Sequence, residues 1–204
     1  MATKFRPKSL AACQESHVAL WSPLGPIQLS GCTAGVHEVK LQADAAPEPV
    51  RDASPLECKV QASPGEVPEP LKLCTAWLVA YFSDPGKVVE LPMPPFHHPV
   101  FEKNSFTRHV LLTLSSQVKF GDSVSYKQLA CLAGNEKAAR AVGGAMRSNP
   151  APLLIPCHRV VCSNGELGPY MGGKGNHLKE WLLGRERLLR AEVPSNKVPG
   201  MQRA

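Results

Sequence analysis

A proline-rich interruption between residues 42 and 70 is the feature that most limits how this chain of 204 residues can fold. The segment, QADAAPEPVRDASPLECKVQASPGEVPEP, holds six prolines and almost no large apolar side chains. Such a composition cannot bury enough apolar surface to offset the entropy that ordering would cost. We therefore expect a flexible loop there, with separate regular structure before and after it.

The residues on either side of this loop follow different periodicities. Before it, SHVALWS, IQLSG and VHEVKL alternate apolar with polar residues around the turn sequence SPLGP, which predicts a small antiparallel sheet over residues 16–41. After it, apolar residues recur every three or four positions from Leu71 to Phe82, which predicts a helix ending at residues 84–86. A second helix, capped by residue 104 or 105, is expected beyond LPMPPFHHPV.

Charge and cysteine content narrow the possible environments and partners. The formal net charge is +6, which suits a polyanionic partner and equally a solvated basic surface. No apolar run at the start resembles a signal segment, and none approaches the ~20 residues of a membrane span. We expect an intracellular protein whose seven cysteines serve metal binding or catalysis rather than disulfides.

The sequence SYKQLACLAGNEKAARAVGGAMRSNP predicts a helix-turn-helix. Ser125 and Gln128 form a capping box for the first helix, and Gly134 ends that helix. Asn135 is expected to cap the second helix, which residues 149–150 close. Helix pairs of this kind also occur in many α domains that bind no nucleic acid.

Two glycines lie in the middle of that second helix. Gly143 and Gly144 cost about 1 kcal/mol each relative to alanine, so close approach of another backbone is the usual reason for them. The same helix region carries Lys137, Arg140 and Arg147. A nucleic-acid groove would account for the pattern, and so would tight packing against the protein's own domain.

The stretch LLIPCHRVV is an apolar run interrupted by Cys157, His158 and Arg159. A cysteine reacts as its thiolate, so a nearby base or positive charge would activate it. Adjacent strand residues point to opposite faces, so His158 reaches Cys157 only if Pro156 imposes a turn or a water relays the proton. A structural cysteine beside a satisfied histidine is the alternative.

Residues 101–183 closely resemble the O6-alkylguanine-DNA alkyltransferases, also called methylated-DNA–protein-cysteine methyltransferases. The matching pieces are HHPVF, SFTR, VKFG, SYKQLA, NEKAARAVGGAMRSNP, LIPCHRVV, GELG-PY-GG and KEWLL. SPLGPIQLSGC and GVHEVKL are also similar to the vertebrate members. The implied fold class is α+β: a small antiparallel sheet with a helix, followed by a mainly helical part carrying the helix-turn-helix and the active cysteine.

The resemblance implies a methylated-DNA–[protein]-cysteine S-methyltransferase that acts once. The alkyl group of O6-alkylguanine in DNA, and less readily of O4-alkylthymine, would move irreversibly to Cys157. His158 would take the thiol proton through a water, with Glu186 orienting the imidazole. Asn149 would brace the active-site turn, and Tyr126 would donate to guanine N3 while also contacting DNA.

The partner implied is double-stranded DNA from which the damaged base is extruded. The second helix would enter the minor groove and Arg140 would take the place of the base. The other residues that match DNA-backbone contacts are Thr107, Lys127, Asn135 and Ser163. No membrane partner is expected, and the resemblance favours a monomer located in the nucleus.

A structural zinc ion is also implied, without any organic cofactor. The matching ligands are Cys13, Cys32, His37 and His97, with His98 outside the set. The expected domains are residues 1–98, bearing the zinc and the 42–70 loop, then residues 99–190 with the alkyltransferase and DNA-binding functions. A disordered tail is expected over residues 191–204.

Several positions depart from the family pattern. Met171 stands where a serine usually lines the guanine pocket, and Pro169 stands where asparagine is common. Lys127 replaces a glutamine, and two extra residues within 174–178 lengthen the connection that leads to Glu186. The pattern predicts retained activity with altered tolerance for bulky alkyl groups.

Three other functions are compatible with parts of the sequence. One is a damage-binding protein without activity, although proteins of that kind lack the active cysteine. Another is a cysteine hydrolase using Cys157 and His158, for which no oxyanion loop is evident. The third is a zinc-dependent DNA-binding regulator in which Cys157 is inert.

Overall fold

A computed structural model of the chain describes residues 13–63 and 65–192. The predicted disordered tail falls almost entirely outside the described residues, at 193–204. Its first two residues belong to the last helix, so the predicted boundary at residue 191 is wrong.

The first part of the chain forms the predicted antiparallel sheet. Its strands are β1 (Ser16–Ser22), β2 (Gly25–Cys32), β3 (Gly35–Leu41) and β4 (Lys59–Ala62), in the order β3-β2-β1-β4. Alternate residues of the first three strands are buried, as their sequence pattern requires. Helix α1 (Glu69–Ser83) covers the sheet and ends at the predicted stop, where Asp84 N–H donates to Ala80 O.

The predicted loop over residues 42–70 begins where β3 ends, but the prediction is wrong in the middle and at the far end. Strand β4 lies within it, and α1 begins at Glu69. Residues 45–56, which we call the strap, lie along the final helix α6 (Asn176–Glu192). Four side-chain hydrogen bonds hold strap carbonyls: His177 to Ala45, Trp181 to Glu48, and Arg185 to Asp52 and Ser54, at 2.6–3.0 Å. The strap is thus fixed through its main-chain acceptors and through Ala45, Val50 and Leu56, which pack partly buried against the core.

The second part of the chain is mainly helical, as predicted. It comprises α2 (Pro99–Glu102), α3 (Phe106–Gln117), α4 (Tyr126–Leu132), α5 (Ala139–Arg147) and α6. Strands β5 (Val124–Ser125) and β6 (Val160–Val161) pair in parallel. Helices α3, α4 and α5 pack together, and Ser105 caps α3 by accepting from Arg108 N–H at 3.2 Å.

The α4–α5 pair agrees with its prediction in two respects and differs in one. Ser125 and Gln128 form the reciprocal capping box, and Gly134 has φ +76° at the end of α4. Asn135 does not cap α5, which begins only at Ala139. A turn intervenes, in which the Asn135 carbonyl accepts from Ala138 N–H at 3.0 Å.

The predicted α+β fold class is confirmed. Within the ranges 13–63 and 65–192, no helix combines the length and apolar character needed to cross a bilayer. None of the seven cysteines forms a disulfide. All of them lie within those ranges.

Candidate active site

Cys157 lies in a short 3₁₀ turn that follows Pro156, one of the two arrangements that the sequence left open. The turn spans Cys157–Arg159 and leads directly into β6. Before it, Leu153 adopts φ +75°, a left-handed conformation that a leucine occupies only when its surroundings impose it. In a 3₁₀ turn consecutive side chains point about 120° apart, so Cys157 and His158 face different neighbours.

Asn149 holds the sulfur and the preceding turn together. Its Nδ2 group donates to Cys157 Sγ at 3.1 Å and to Ile155 O at 2.8 Å. Its Oδ1 atom accepts from Ala151 N–H at 3.1 Å. The structure therefore gives Asn149 the bracing position that the resemblance implied.

His158 is fully buried against Glu186, despite the two extra residues that precede α6. Its Nε2 atom lies 2.8 Å from Glu186 Oε1, and because a carboxylate only accepts, Nε2 carries the proton. Nδ1 is then the free acceptor, and no atom of the described residues hydrogen-bonds it. This tautomer leaves His158 able to take a proton on the side away from Glu186.

Glu186 accepts hydrogen bonds from five donors, which fix it as an anion. The donors are Tyr81 OH, His158 Nε2, both Arg159 Nε and Nη2, and Gly121 N–H, at 2.6–3.1 Å. The charges of His158 and Arg159 and these hydrogen bonds overcome the cost of burial and hold the Glu186 pKa far below its ordinary value. Arg159 is thus committed to Glu186, so it is not the cation that activates Cys157.

The cation beside the sulfur is Lys179, which the sequence reasoning missed. Its side chain is buried, and Nζ donates to Val160 O at 2.6 Å. Burial lowers the pKa of Lys179, whereas the nearby thiols of Cys157 and Cys162 raise it. The lysine in KEWLL, on the same helix as Glu186, was the available signal.

The resting pair at neutral pH is a thiol and a neutral imidazole. Burial raises the pKa of Cys157, although the Asn149 hydrogen bond and the Lys179 charge pull it down. Burial likewise lowers the pKa of His158, against the opposing effect of Glu186. A buried thiol beside a neutral base is arranged to lose its proton when the substrate arrives.

Two tyrosines flank the sulfur. Tyr170 is buried, and its hydroxyl interacts with the Cys157 sulfur without making a regular hydrogen bond to any described residue. Tyr126 is half-buried at the start of α4, and burial raises its pKa. Both phenols therefore stay protonated and can donate hydrogen bonds near the sulfur.

Cys157 opens into a cavity of about 810 Å³. Tyr126, Arg140 and Asn149 line it, together with residues 169–172. Residues Glu38 to Leu41 of β3 form another wall of the cavity. No sequence pattern predicted that this strand contributes to the site. Strand β3 is fixed to the active-site side by Val39 N–H, which donates to Pro150 O at 2.8 Å.

Of the six predicted DNA contacts, Tyr126 and Arg140 line this cavity. Arg140 is exposed on α5 and lines the cavity. The other four lie on exposed or half-buried surface outside the cavity wall: Thr107, Lys127, Asn135 and Ser163. A Cβ atom at Gly143 would meet no described atom within 4 Å, and one at Gly144 only the Arg147 side chain at 4.0 Å. The two glycines therefore do not serve packing within the protein.

Two of the departures from the family pattern, Pro169 and Met171, line the cavity. Met171 has φ +50°, and its side chain packs on Gly175, where an added Cβ would lie 2.9 Å from Sδ. The segment 174–178, which contains the two extra residues, leads into the first turn of α6, where Asn176 Oδ1 accepts from Tyr170 N–H at 2.9 Å. Altered tolerance for bulky alkyl groups stays a prediction.

Cys13, Cys32, His37 and His97 come together at one end of the sheet, with ligand atoms within 4.8 Å of one another. Cys13 Sγ lies 3.5 Å from His37 Nε2, Cys32 Sγ lies 3.2 Å from His97 Nδ1, and the two nitrogens are 3.3 Å apart. In a tetrahedral zinc site, neighbouring ligand atoms lie about 3.3–3.8 Å apart. The cluster has the composition and spacing of a closed zinc site.

Two residues next to this cluster have supporting positions. Glu15 Oε1 lies 3.5 Å from His37 Nδ1, the ring nitrogen turned away from the cluster, and so orients that ring. His98 is not a ligand, because its Nδ1 caps α2 by accepting from Val100 N–H at 3.2 Å. Glu15 was overlooked because a single carboxylate two residues beyond a cysteine carries no specific pattern.

Comparison with known proteins bears on both parts of the chain. Residues 105–188 match the family model described as "6-O-methylguanine DNA methyltransferase, DNA binding domain". The "Methylated-DNA--protein-cysteine methyltransferase" of Mus musculus is 52% identical over 189 residues, covering 93% of this chain and 89% of the relative. The protein of the same name from Homo sapiens is 54% identical over 174 residues, covering 85% and 81%.

The chain belongs to the methylated-DNA–protein-cysteine methyltransferases. Among solved structures, that of Mycobacterium tuberculosis OGT in complex with DNA is similar, with a TM-score of 0.59 and 26% identity. The similarity covers 83% of this chain and 91% of that one. The protein is accordingly an enzyme, a methylated-DNA–protein-cysteine methyltransferase with the α+β fold described above.

Proposed function

We propose that this methyltransferase repairs DNA by transferring the alkyl group from O6 of guanine to its own Cys157. The observation that carries the proposal is that Asn149 and Cys157 meet in the wall of one cavity, while His158, adjacent to Cys157 in the chain, is bonded to the buried Glu186. A soft sulfur nucleophile suits attack on an alkyl carbon. The thioether formed has no base-labile bond, so each molecule acts once.

In the proposed reaction, a water bridging Cys157 Sγ and His158 Nδ1 passes the thiol proton to the imidazole. Glu186 stabilises the imidazolium that forms, as Asn149 and Lys179 stabilise the thiolate. The sulfur then bonds to the alkyl carbon while the bond from that carbon to O6 breaks. Tyr126, protonated and beside the cavity, donates to N3 of the departing guanine.

We propose that DNA is engaged through α4 and α5 acting as a helix-turn-helix in the minor groove. The open surface over Gly143 and Gly144 allows a sugar-phosphate backbone to come close to α5. O6 is inaccessible within a duplex, so the base must turn out into the cavity. O4-alkylthymine would be a poorer substrate, and action as a monomer in the nucleus belongs to the same proposal.

Mass spectrometry after incubation with an oligonucleotide containing O6-methylguanine tests this function. The protein should gain a single methyl group, located on the peptide that contains Cys157. A damage-binding protein, a hydrolase or a zinc-dependent regulator would each leave the mass unchanged. An unmodified protein after complete binding of the oligonucleotide would overturn the proposal.

Replacement of Arg140 with alanine should separate reaction on duplex DNA from reaction on the free base. Arg140 is exposed, so its replacement should not affect folding. Without the Arg140 side chain to occupy the place of the extruded base in the duplex, repair of duplex DNA should be slowed tenfold or more. The rates of Cys157 alkylation by duplex O6-methylguanine and by free O6-benzylguanine are compared. The exposed Arg187→Ala variant is the control, and equal slowing with both substrates would contradict the role of Arg140.

We propose further that Cys13, Cys32, His37 and His97 hold one structural zinc ion. Zinc would tie residue 13 and the loop before α2 to strands β2 and β3. Since Val39 of β3 is bonded to Pro150, the metal supports one wall of the cavity from a distance. It takes no part in the chemistry at Cys157.

Removal of zinc should lower the melting temperature. At free zinc 1,000-fold above Kd the stabilisation is about 4 kcal/mol, or roughly 8–16 °C for a chain of this size. Thermal scans with zinc or with a chelator measure the shift, and elemental analysis measures the bound metal. His97→Ala should lose the metal while neighbouring His98→Ala keeps it; equal zinc contents would contradict the assignment.

A further inference from the structure

Tyr81 is a residue of the N-terminal helix α1 that reaches the catalytic carboxylate. Its hydroxyl lies 2.6 Å from Glu186 Oε1, and the side chain is buried. The ring stacks on Trp77 at 5.5 Å and meets Phe82 and Phe120 edge-on at 5.1 and 5.9 Å. Aromatic contacts on several sides therefore fix the direction in which the hydroxyl donates.

Oε1 of Glu186 is shared between Tyr81 and the base of the reaction. His158 Nε2 lies 2.8 Å from this atom and Arg159 Nη2 lies 3.0 Å away, so the tyrosine makes the shortest of the three contacts. Burial and the charge of Glu186 raise the pKa of Tyr81 well above its ordinary value. The phenol therefore stays protonated at neutral pH and donates to Glu186.

We propose that Tyr81 is a positioning residue for alkyl transfer, in which its hydroxyl fixes Glu186 Oε1 and thereby the orientation and basicity of His158. This inference rests on the proposed function, because His158 must act as the base that deprotonates Cys157. It also gives α1, which lies outside the matched DNA-binding segment 105–188, a defined part in the chemistry.

The role of Tyr81 has a consequence for the pH dependence of the reaction. The charged groups that act on His158 are Glu186, which favours the imidazolium, and Arg159 and Lys179, which oppose it. Without the Tyr81 hydroxyl, Oε1 becomes a stronger acceptor for Nε2–H, and the pKa of His158 rises. Since His158 is a base only when neutral, the acid limb of the rate profile moves to higher pH.

The test compares Tyr81→Phe with Ser83→Ala, which also removes a hydroxyl from α1 but one bonded to Val79 O rather than to Glu186. Single-turnover rates of Cys157 methylation by duplex O6-methylguanine are measured between about pH 5 and 9. Tyr81→Phe should lower the plateau about tenfold, a fraction of what general-base catalysis supplies. The acid limb of the rate profile of Tyr81→Phe should move to higher pH by roughly 0.5–1 pH unit. The affinity for DNA should be unchanged.

Tyr81→3-fluorotyrosine keeps the hydroxyl, makes it a stronger donor and should move the acid limb in the opposite direction. This second variant decides the question even if Tyr81→Phe does not fold. If Tyr81→Phe and Tyr81→3-fluorotyrosine, or whichever of them folds, showed the plateau rate and the acid limb of the wild-type protein, the role of Tyr81 would be overturned. Absence of methyl transfer in the wild-type protein would instead overturn the proposed function.

Discussion

The Cys157→Ala protein should leave O6-methylguanine unrepaired, with methyl transfer reduced to the uncatalysed background. Alanine removes the only sulfur that both lies at the cavity floor and accepts from Asn149 among the described residues. His158 and Glu186 would remain in place but would have no nucleophile to activate. The remaining lesion is quantified by digestion of the oligonucleotide and chromatography of its bases.

Cys162→Ala is the matched control for this experiment. Cys162 is a half-buried cysteine five residues further along, close to Tyr126 and Gly168. It lies outside the residues that line the cavity. This variant should still accept one methyl group. Undiminished repair by Cys157→Ala, or loss of repair only in Cys162→Ala, would show that Cys157 is not the nucleophile.

Glu186→Gln should both inactivate and destabilise the protein. Five donors converge on this carboxylate, and an amide can offer only one oxygen to them. The amide nitrogen would face Arg159 or Tyr81, and the buried guanidinium would lose its counter-charge. Loss of one partner from a buried ion pair costs about 3–5 kcal/mol. Urea denaturation at neutral pH measures this loss.

The difference in free energy of unfolding between the wild type and Glu186→Gln depends on pH through the pKa of Glu186. Because the folded protein holds this pKa far below the unfolded value of about 4.3, the carboxylate stabilises the fold fully above that value. The contribution falls as the pH drops below it, so the stability gap between wild type and Glu186→Gln should narrow in acid. Glu180→Gln, an exposed substitution on the same helix, should show no gap at any pH.

The sheet, α1 and the first helix of the α4–α5 pair could be predicted because local patterns specify them. Strand alternation, the Ser125–Gln128 capping box and the glycine stop at 134 act over a few residues. The start of α5 was predicted three residues early, since Asn135 has the chemistry of a cap but its main chain enters another turn. Local preference cannot decide between two adjacent turns.

The parts of the site that escaped prediction depend on contacts between distant segments. Family resemblance supplied Cys157, His158, Asn149 and Glu186 as a set, and the structure brings them together. Tyr81 meets Glu186 across 105 positions of sequence, and no local pattern marks such a partner. Sequence likewise does not reveal that Arg159, two residues from Cys157, is occupied by Glu186, because that carboxylate comes from a separate helix.

The strap contacts α6 through four of its own carbonyl oxygens, while Ala45, Val50 and Leu56 pack against the core. A hydrogen bond to a main-chain acceptor does not depend on the side chain at that position, so α6 binds the backbone of the strap whichever residues carry it. Substitutions that keep this backbone path, outside those three positions, should therefore change the free energy of unfolding little. Cleavage of the strap would remove the hydrogen-bond acceptors of Trp181 and Arg185 together and loosen the outer side of α6, the helix that carries Glu186.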